Sequence, residues 1–212
     1  MKEFDALIDK LADQAAPVRR YSTRGGRLAL AAIGAATLTV VFMIRGFRAD
    51  VMAGQADPML TVATGLMLIL AIAAGSSAVR MARPQVGTAA SGAPWALTAL
   101  LLVPVAAVIG IIAQPDRIAG LAPGPGIRCL VFGLIAGLGA LVFLAYWLRL
   151  GAPVAPERAS WLTGLAAGAI GALALMLECR QEGLAHFGAW HVAVPIAAAA
   201  AARLILPRFL RW

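Results

Sequence analysis

The chain has 212 residues, 61% of them hydrophobic and only 13% charged, with a mean hydropathy of +0.85. A water-soluble domain carries roughly 25% charged residues, so the composition excludes a soluble globular protein and puts the chain in a membrane. The net charge of +8 is scattered along one membrane face, which fits topology and contact with anionic lipid and is not evidence for nucleic-acid binding, so no nucleic acid is expected as a direct partner.

The first predicted element is a short cytoplasmic helix in a tail spanning residues 1–26. Phe4, Leu7, Ile8 and Leu11 fall at i, i+3, i+4 and i+7, one stripe of an α-helix, with Asp5, Asp9, Lys10 and Asp13 on the other side. Four of the ten acidic residues (Glu3, Asp5, Asp9, Asp13) lie here, and Pro17 ends the helix before Arg19, Arg20, Arg24 and Arg27. Such a stripe cannot be buried on itself. Helices that lie on membranes usually carry Lys and Arg on the polar face. This one is acidic, which favours docking into the groove of a soluble partner over packing on its own cytoplasmic loops or fraying. The first 26 residues have no apolar core region, so no cleavable signal peptide is expected.

Residues 27–212 hold six apolar runs, near 28–44, 59–79, 94–113, 129–148, 159–177 and 189–206. A crossing helix needs about 20 such residues, and lipid offers no partner for a bare backbone. The expected fold is therefore all-α: a polytopic bundle of six transmembrane helices in three hairpins. Breaks are expected at Asp57-Pro58, Arg83-Pro84, Gln114-Pro115-Asp116, Pro123-Gly124-Pro125-Gly126, and at Pro153 with Pro156. Thirteen Lys and Arg residues fall on the side of the two termini and five on the other (Arg45, Arg48, Arg117, Arg128, Arg180), which orients both termini toward the cytoplasm.

No Asp, Glu or Lys falls inside a run, which weighs against a proton-coupled pump or an ion channel. The Thr and Ser residues there are expected to bond backbone carbonyls one turn back. Gly133…Gly137 and Gly164…Gly168 fit Gly-x-x-x-Gly, a pattern that lets helices approach closely. Packing within the chain is the simpler use of it.

The reactive side chains are few and gathered. Cys129 opens the fourth run and Cys179 closes the fifth, so both thiols fall at the same outer boundary. In a bacterium that boundary faces the periplasm, where disulfides persist. His186 and His191 lie on the same side. Three readings compete. Cys129 and Cys179 are a redox pair, one thiol resolving the oxidised form of the other. Or Cys129, Cys179, His186 and His191 bind zinc or another soft metal, the His-x4-His spacing suiting one helical face. Or the four are ordinary helix-end residues. No Cys-x-x-Cys, Gly-x-Ser-x-Gly, His-Glu-x-x-His or phosphate loop is present, which argues against an enzyme. Trp190 and Trp212 read as interfacial anchors.

Taken together, the tail "LIDKLADQAAPVRR", six spans, a Cys opening span four, a Cys closing span five, Trp190-His191 at the start of span six and an Arg-Trp C-terminus resemble the NrsF/OsrA-like family of membrane anti-sigma factors. The resemblance implies an inner-membrane protein that holds an extracytoplasmic-function sigma factor inactive and releases it under oxidative or metal stress. It implies Cys129 and Cys179 as a periplasmic sensor and residues 1–26 as the sigma-binding element, through Phe4, Leu7, Ile8 and Leu11. The alternative expectation is a small six-span substrate-binding subunit of a vitamin or metabolite transporter, which leaves the acidic tail helix without a role.

Overall fold

A computed structural model describes residues 2–14, 22–55, 57–83, 92–181 and 183–210. The described residues contain no β-strand. Helix α1 (Lys2–Gln14) precedes α2 (Thr23–Arg45), the short α3 (Ala49–Met52), α4 (Pro58–Met81) and α5 (Gly92–Ala113). A 3₁₀ segment (Pro115–Leu121) leads to α6 (Pro123–Arg149) and α7 (Pro156–Glu178). The chain then forms the short α8 (Leu184–His186), a wide π-type turn (Phe187–His191), α9 (Val192–Ile205) and α10 (Pro207–Leu210). Among the described residues, six helices are long and apolar enough to cross a membrane, with the segment 184–205 acting as the last.

Several expected breaks turn out to be helix starts. Pro58, Pro123 and Pro156 each occupy the first turn of α4, α6 and α7. There the missing N–H removes no hydrogen bond and the fixed φ suits the helix. Asp57 caps α4 by accepting from the Met59 and Leu60 amides at 2.6 and 3.2 Å. The Pro123–Gly126 run is therefore helical. It starts α6 six residues before the expected boundary and places Cys129 in the second turn rather than at the tip.

Helix α7 lies at the centre and packs against α9, α4, α6 and α2, while α5 sits on α4 and on the α8 segment. In lipid, such packing rests on close dispersion contact rather than on escape from water, and the sequence of α7 supplies it with Gly and Ala on nearly every face. A Cβ at Gly137 would lie 2.5 Å from the Ala167 carbonyl oxygen, and one at Gly171 would strike the Gly133 carbonyl. On the adjacent face a Cβ at Gly168 would lie 2.5 Å from Pro195 Cα. The two Gly-x-x-x-Gly patterns thus serve contacts inside the chain, Gly133/Gly137 between α6 and α7, and Gly164/Gly168 between α7 and α9.

The expected threonine bonding is seen at Thr39, Thr61, Thr64 and Thr98, whose hydroxyls donate to carbonyls four residues back at 2.7–3.2 Å. Thr163 differs: its hydroxyl is buried in α7 with no partner among the described residues. At the N-terminus, Phe4, Leu7, Ile8 and Leu11 of α1 are all exposed, Phe4 by 73%. Pro17 and Trp212 lie outside the described residues.

Candidate functional site

The site is built at the end of the bundle where α6 begins and α7 ends. Cys129 points inward from the second turn of α6 and is half-buried, while Cys179 is the residue that ends α7 and is buried. Their sulfurs are 3.7 Å apart. The approach follows from the Gly contacts above, which bring the α6 and α7 backbones together a few turns deeper.

The histidines arrive by a different device. They are five residues apart, and in a regular α-helix that spacing separates side chains by about 140°. The expectation that His-x4-His suits one helical face is therefore wrong for an α-helix. It is met here because Phe187–His191 forms a π-type turn, whose i→i+5 bonding stacks residues five apart. Pro195 favours the wide turn: it has no amide to donate to the His191 carbonyl one turn back. Gly188 permits it, since a Cβ there would meet Ala107 Cβ at 2.9 Å and Pro104 Cα at 3.0 Å on α5. Gly183, with φ 107°, turns the chain from Cys179 into α8.

As a result, one ligand atom from each of Cys129, Cys179, His186 and His191 lies within 4.8 Å of the other three. His186 Nε2 faces Cys179 Sγ at 3.7 Å, and its Nδ1 faces the Gly120 carbonyl at 3.3 Å. His191 is wholly buried, and neither of its ring nitrogens has a hydrogen-bonding partner among the described residues. Its ring stands edge-on to Phe187, with centroids 5.0 Å apart. The hydrogen bond with Cys129, followed by that with His186, holds the Cys179 thiol below the usual thiol range against the opposing effect of burial. The arrangement can do two things. Two thiols in van der Waals contact can join on oxidation, and two sulfurs with two imidazole nitrogens can hold a soft cation.

A strap from the loop after α2 closes the site. Gly46 takes φ 77° at the end of α2, and Arg48, though charged, is buried. Its guanidinium donates to the Cys179 carbonyl and to the Asp50 carboxylate, the latter at 2.8 and 3.0 Å. Its amide donates to the Leu177 carbonyl at 3.0 Å. The guanidinium beside it lowers the Asp50 carboxyl below its ordinary pKa. Nearby, Arg45 pairs with Glu178 at 3.3 Å and lies over the Phe132 ring. A cavity of about 700 Å³ lined by Arg45, Arg128, Cys129, Glu178, Cys179 and Arg180, among others, opens onto the sulfurs.

Sequence reasoning treated Arg45 and Arg48 only as topological charges and missed both as site residues. The one available signal was an Arg and an Asp two residues apart in an otherwise apolar outer segment. It also misread Trp190. The indole is not a free interfacial anchor: it packs on Gly126 of α6, where any Cβ would strike the ring, and its Nε1 is buried.

The family model described as "Negative regulator of sigma F" (NrsF) matches residues 11–212. A protein of Azospira oryzae named "Probable anti-sigma-F factor NrsF" is 32% identical over 216 residues, covering 100% of both chains. No solved structure matches. On a match that runs from the end of the first helix to the last residue, the chain belongs to the NrsF family of negative regulators of sigma F.

Proposed function

We propose that the protein is an anti-sigma factor of the bacterial inner membrane, with both termini cytoplasmic, that sequesters an extracytoplasmic-function sigma factor through α1 and releases it when Cys129 and Cys179 are modified. The observation that carries the regulatory reading is the family match over nearly the whole chain. That match lends nothing to the transport-subunit alternative. Support for the docking element comes from α1, whose only apolar stripe is exposed and whose opposite face is acidic.

Support for the sensor comes from the 3.7 Å sulfur separation at the junction of two packed helices. Hydrogen peroxide passes one oxygen to a thiol, giving a sulfenic acid, and its other oxygen leaves as water. The second thiol attacks that sulfur, a further water leaves, and the S–S bond forms. Closing the gap draws the start of α6 onto the end of α7. Cys179 adjoins Glu178, which pairs with Arg45 at the end of α2, and α2 at its other end follows the tail. A displacement at the thiols thus has a mechanical route to α1 through α2, provided that two packings of the bundle bind the sigma factor differently.

The test separates the two halves. In Cys129→Ser and Cys179→Ser strains, stress induction of the sigma-dependent genes should disappear; unchanged induction sinks the thiol mechanism. Deleting residues 1–16 should leave sigma activity permanently on; continued repression would move the binding surface to the cytoplasmic loops. Arg45→Ala should keep repression and blunt induction.

A further inference from the structure

We propose that Cys129, Cys179, His186 and His191 form a closed four-coordinate site for a soft divalent cation, with zinc as its resting occupant. The inference goes beyond the anti-sigma reading, because it concerns what the resting protein holds whichever partner the tail takes.

The spacing is that of an edge of a metal tetrahedron. Zinc bonds thiolate sulfur at about 2.3 Å and imidazole nitrogen at about 2.0–2.1 Å. Tetrahedral edges are then about 3.8 Å between sulfurs and about 3.6 Å between sulfur and nitrogen. The observed Cys129–Cys179 and Cys179–His186 separations are both 3.7 Å. The remaining pairs lie within 4.8 Å, so small rotamer adjustments complete the set.

His191 supplies an independent sign. A buried imidazole with two unsatisfied nitrogens is costly, about 1–3 kcal/mol for each unpaired polar group. Here both nitrogens are buried without a partner among the described residues, and the ring is held within reach of two sulfurs. A cation at the centre takes the lone pair of one of those nitrogens. His186 is already posed as metal-binding histidines are: Nε2 faces the sulfurs and the far nitrogen meets a backbone carbonyl, Gly120, which fixes the tautomer.

Charge closes the argument. Binding replaces the two thiol protons, which leave to solvent, with one divalent cation, and the imidazoles stay neutral. The occupied site has no net charge, the state that a largely buried position tolerates. Among the described residues the mouth carries Arg45, Arg128 and Arg180 against Glu178. That field disfavours hard cations with only electrostatic attraction and leaves affinity to thiolate and imidazole donation. Loading and loss should be slow.

The experiment uses the full chain in detergent, purified with no polyhistidine tag and with thiols kept reduced. Elemental analysis should find one zinc per chain. His191→Ala and Cys129→Ser should hold at least about 10-fold less tightly bound metal. Cobalt exchanged into the wild type should give the intense visible bands of a tetrahedral site with sulfur-to-metal charge transfer. His191→Cys guards against variants that merely misfold: it should keep the metal and strengthen the charge-transfer band through a third thiolate. The proposal is overturned by a monodisperse wild type with two titratable thiols and no zinc. It is equally overturned by metal content that the histidine and cysteine substitutions leave unchanged. Neither result touches repression by the tail, which is read without metal analysis.

Discussion

Helices α2 and α7 are both long and apolar enough to cross a membrane, yet 89% of the best spanning stretch of α7 is buried within the protein and only 11% of that of α2. The buried one is the less apolar of the two. In water the opposite would hold, since burial follows hydrophobicity. In lipid, apolar side chains gain nothing by turning inward, and the inner place goes to the helix whose small residues admit neighbours most closely. Helix α7 has become the fixed axis on which α6, α9 and the thiol pair are mounted. Helix α2, joined to the tail, is held mainly along one side and by the strap at its end.

The sharpest test of that contrast is Gly171→Ala. The added methyl would strike the Gly133 carbonyl, so α6 and α7 must part, and we expect a loss of about 1–3 kcal/mol, read as a lower melting temperature in detergent. Equal tolerance at Gly171 and at Gly34 of α2 would dissolve the distinction between axis and periphery.

Arg48→Ala comes next, because it cuts the strap. The Cys179 carbonyl loses a charged donor, worth about 1.5–3 kcal/mol, and the two thiols should alkylate faster. The pH dependence carries a sign. The Asp50 carboxyl titrates lower in the folded protein than in the unfolded chain. Its contribution is complete above the unfolded pKa of about 3.9 and is lost as pH falls below that value. The gap in melting temperature between wild type and Arg48→Ala should therefore narrow in acid. A gap that stays constant would mean that Asp50 adds nothing to the strap.

The smallest effect is expected at Gly34→Ala in α2. The nearest atom to an added Cβ is Ile170 Cδ1 at 3.9 Å, an ordinary contact. Helix propensity favours Ala by about 0.5–1 kcal/mol, so the melting temperature should hold or rise slightly. A marked fall would show α2 to be as tightly seated as α7.

What was legible in the sequence follows the same physics. Six spans could be counted because the bilayer demands unbroken backbone bonding in each, and the exposed stripe Phe4, Leu7, Ile8 and Leu11 could be read because helical periodicity places it. The approach of Cys129 to Cys179 followed from two consecutive spans ending at one boundary. Three things were hidden. Hydropathy cannot rank which span is central, so the rank of α7 stayed invisible although its Gly and Ala residues were noted. The buried bonds of Arg48 depend on a loop folding back across 131 residues of sequence. The convergence of His186 with His191 depends on a π-type turn that no periodicity displays, and only Pro195 hinted at it.

That turn also sets a phase. A π-type turn is an α-helix carrying one residue more than its pitch allows, and because the wide turn absorbs that residue, α9 keeps nearly the phase it would have without it. Removing a single residue, Ala189 for instance, would restore the common pitch and leave the histidines four residues apart, about 40° around the helix and still neighbours. The α9 face at Pro195 and Ala198 would stay against Gly164 and Gly168. The chemistry at the bundle's end and the seam along its axis thus share one phase, and the wide turn keeps them in step.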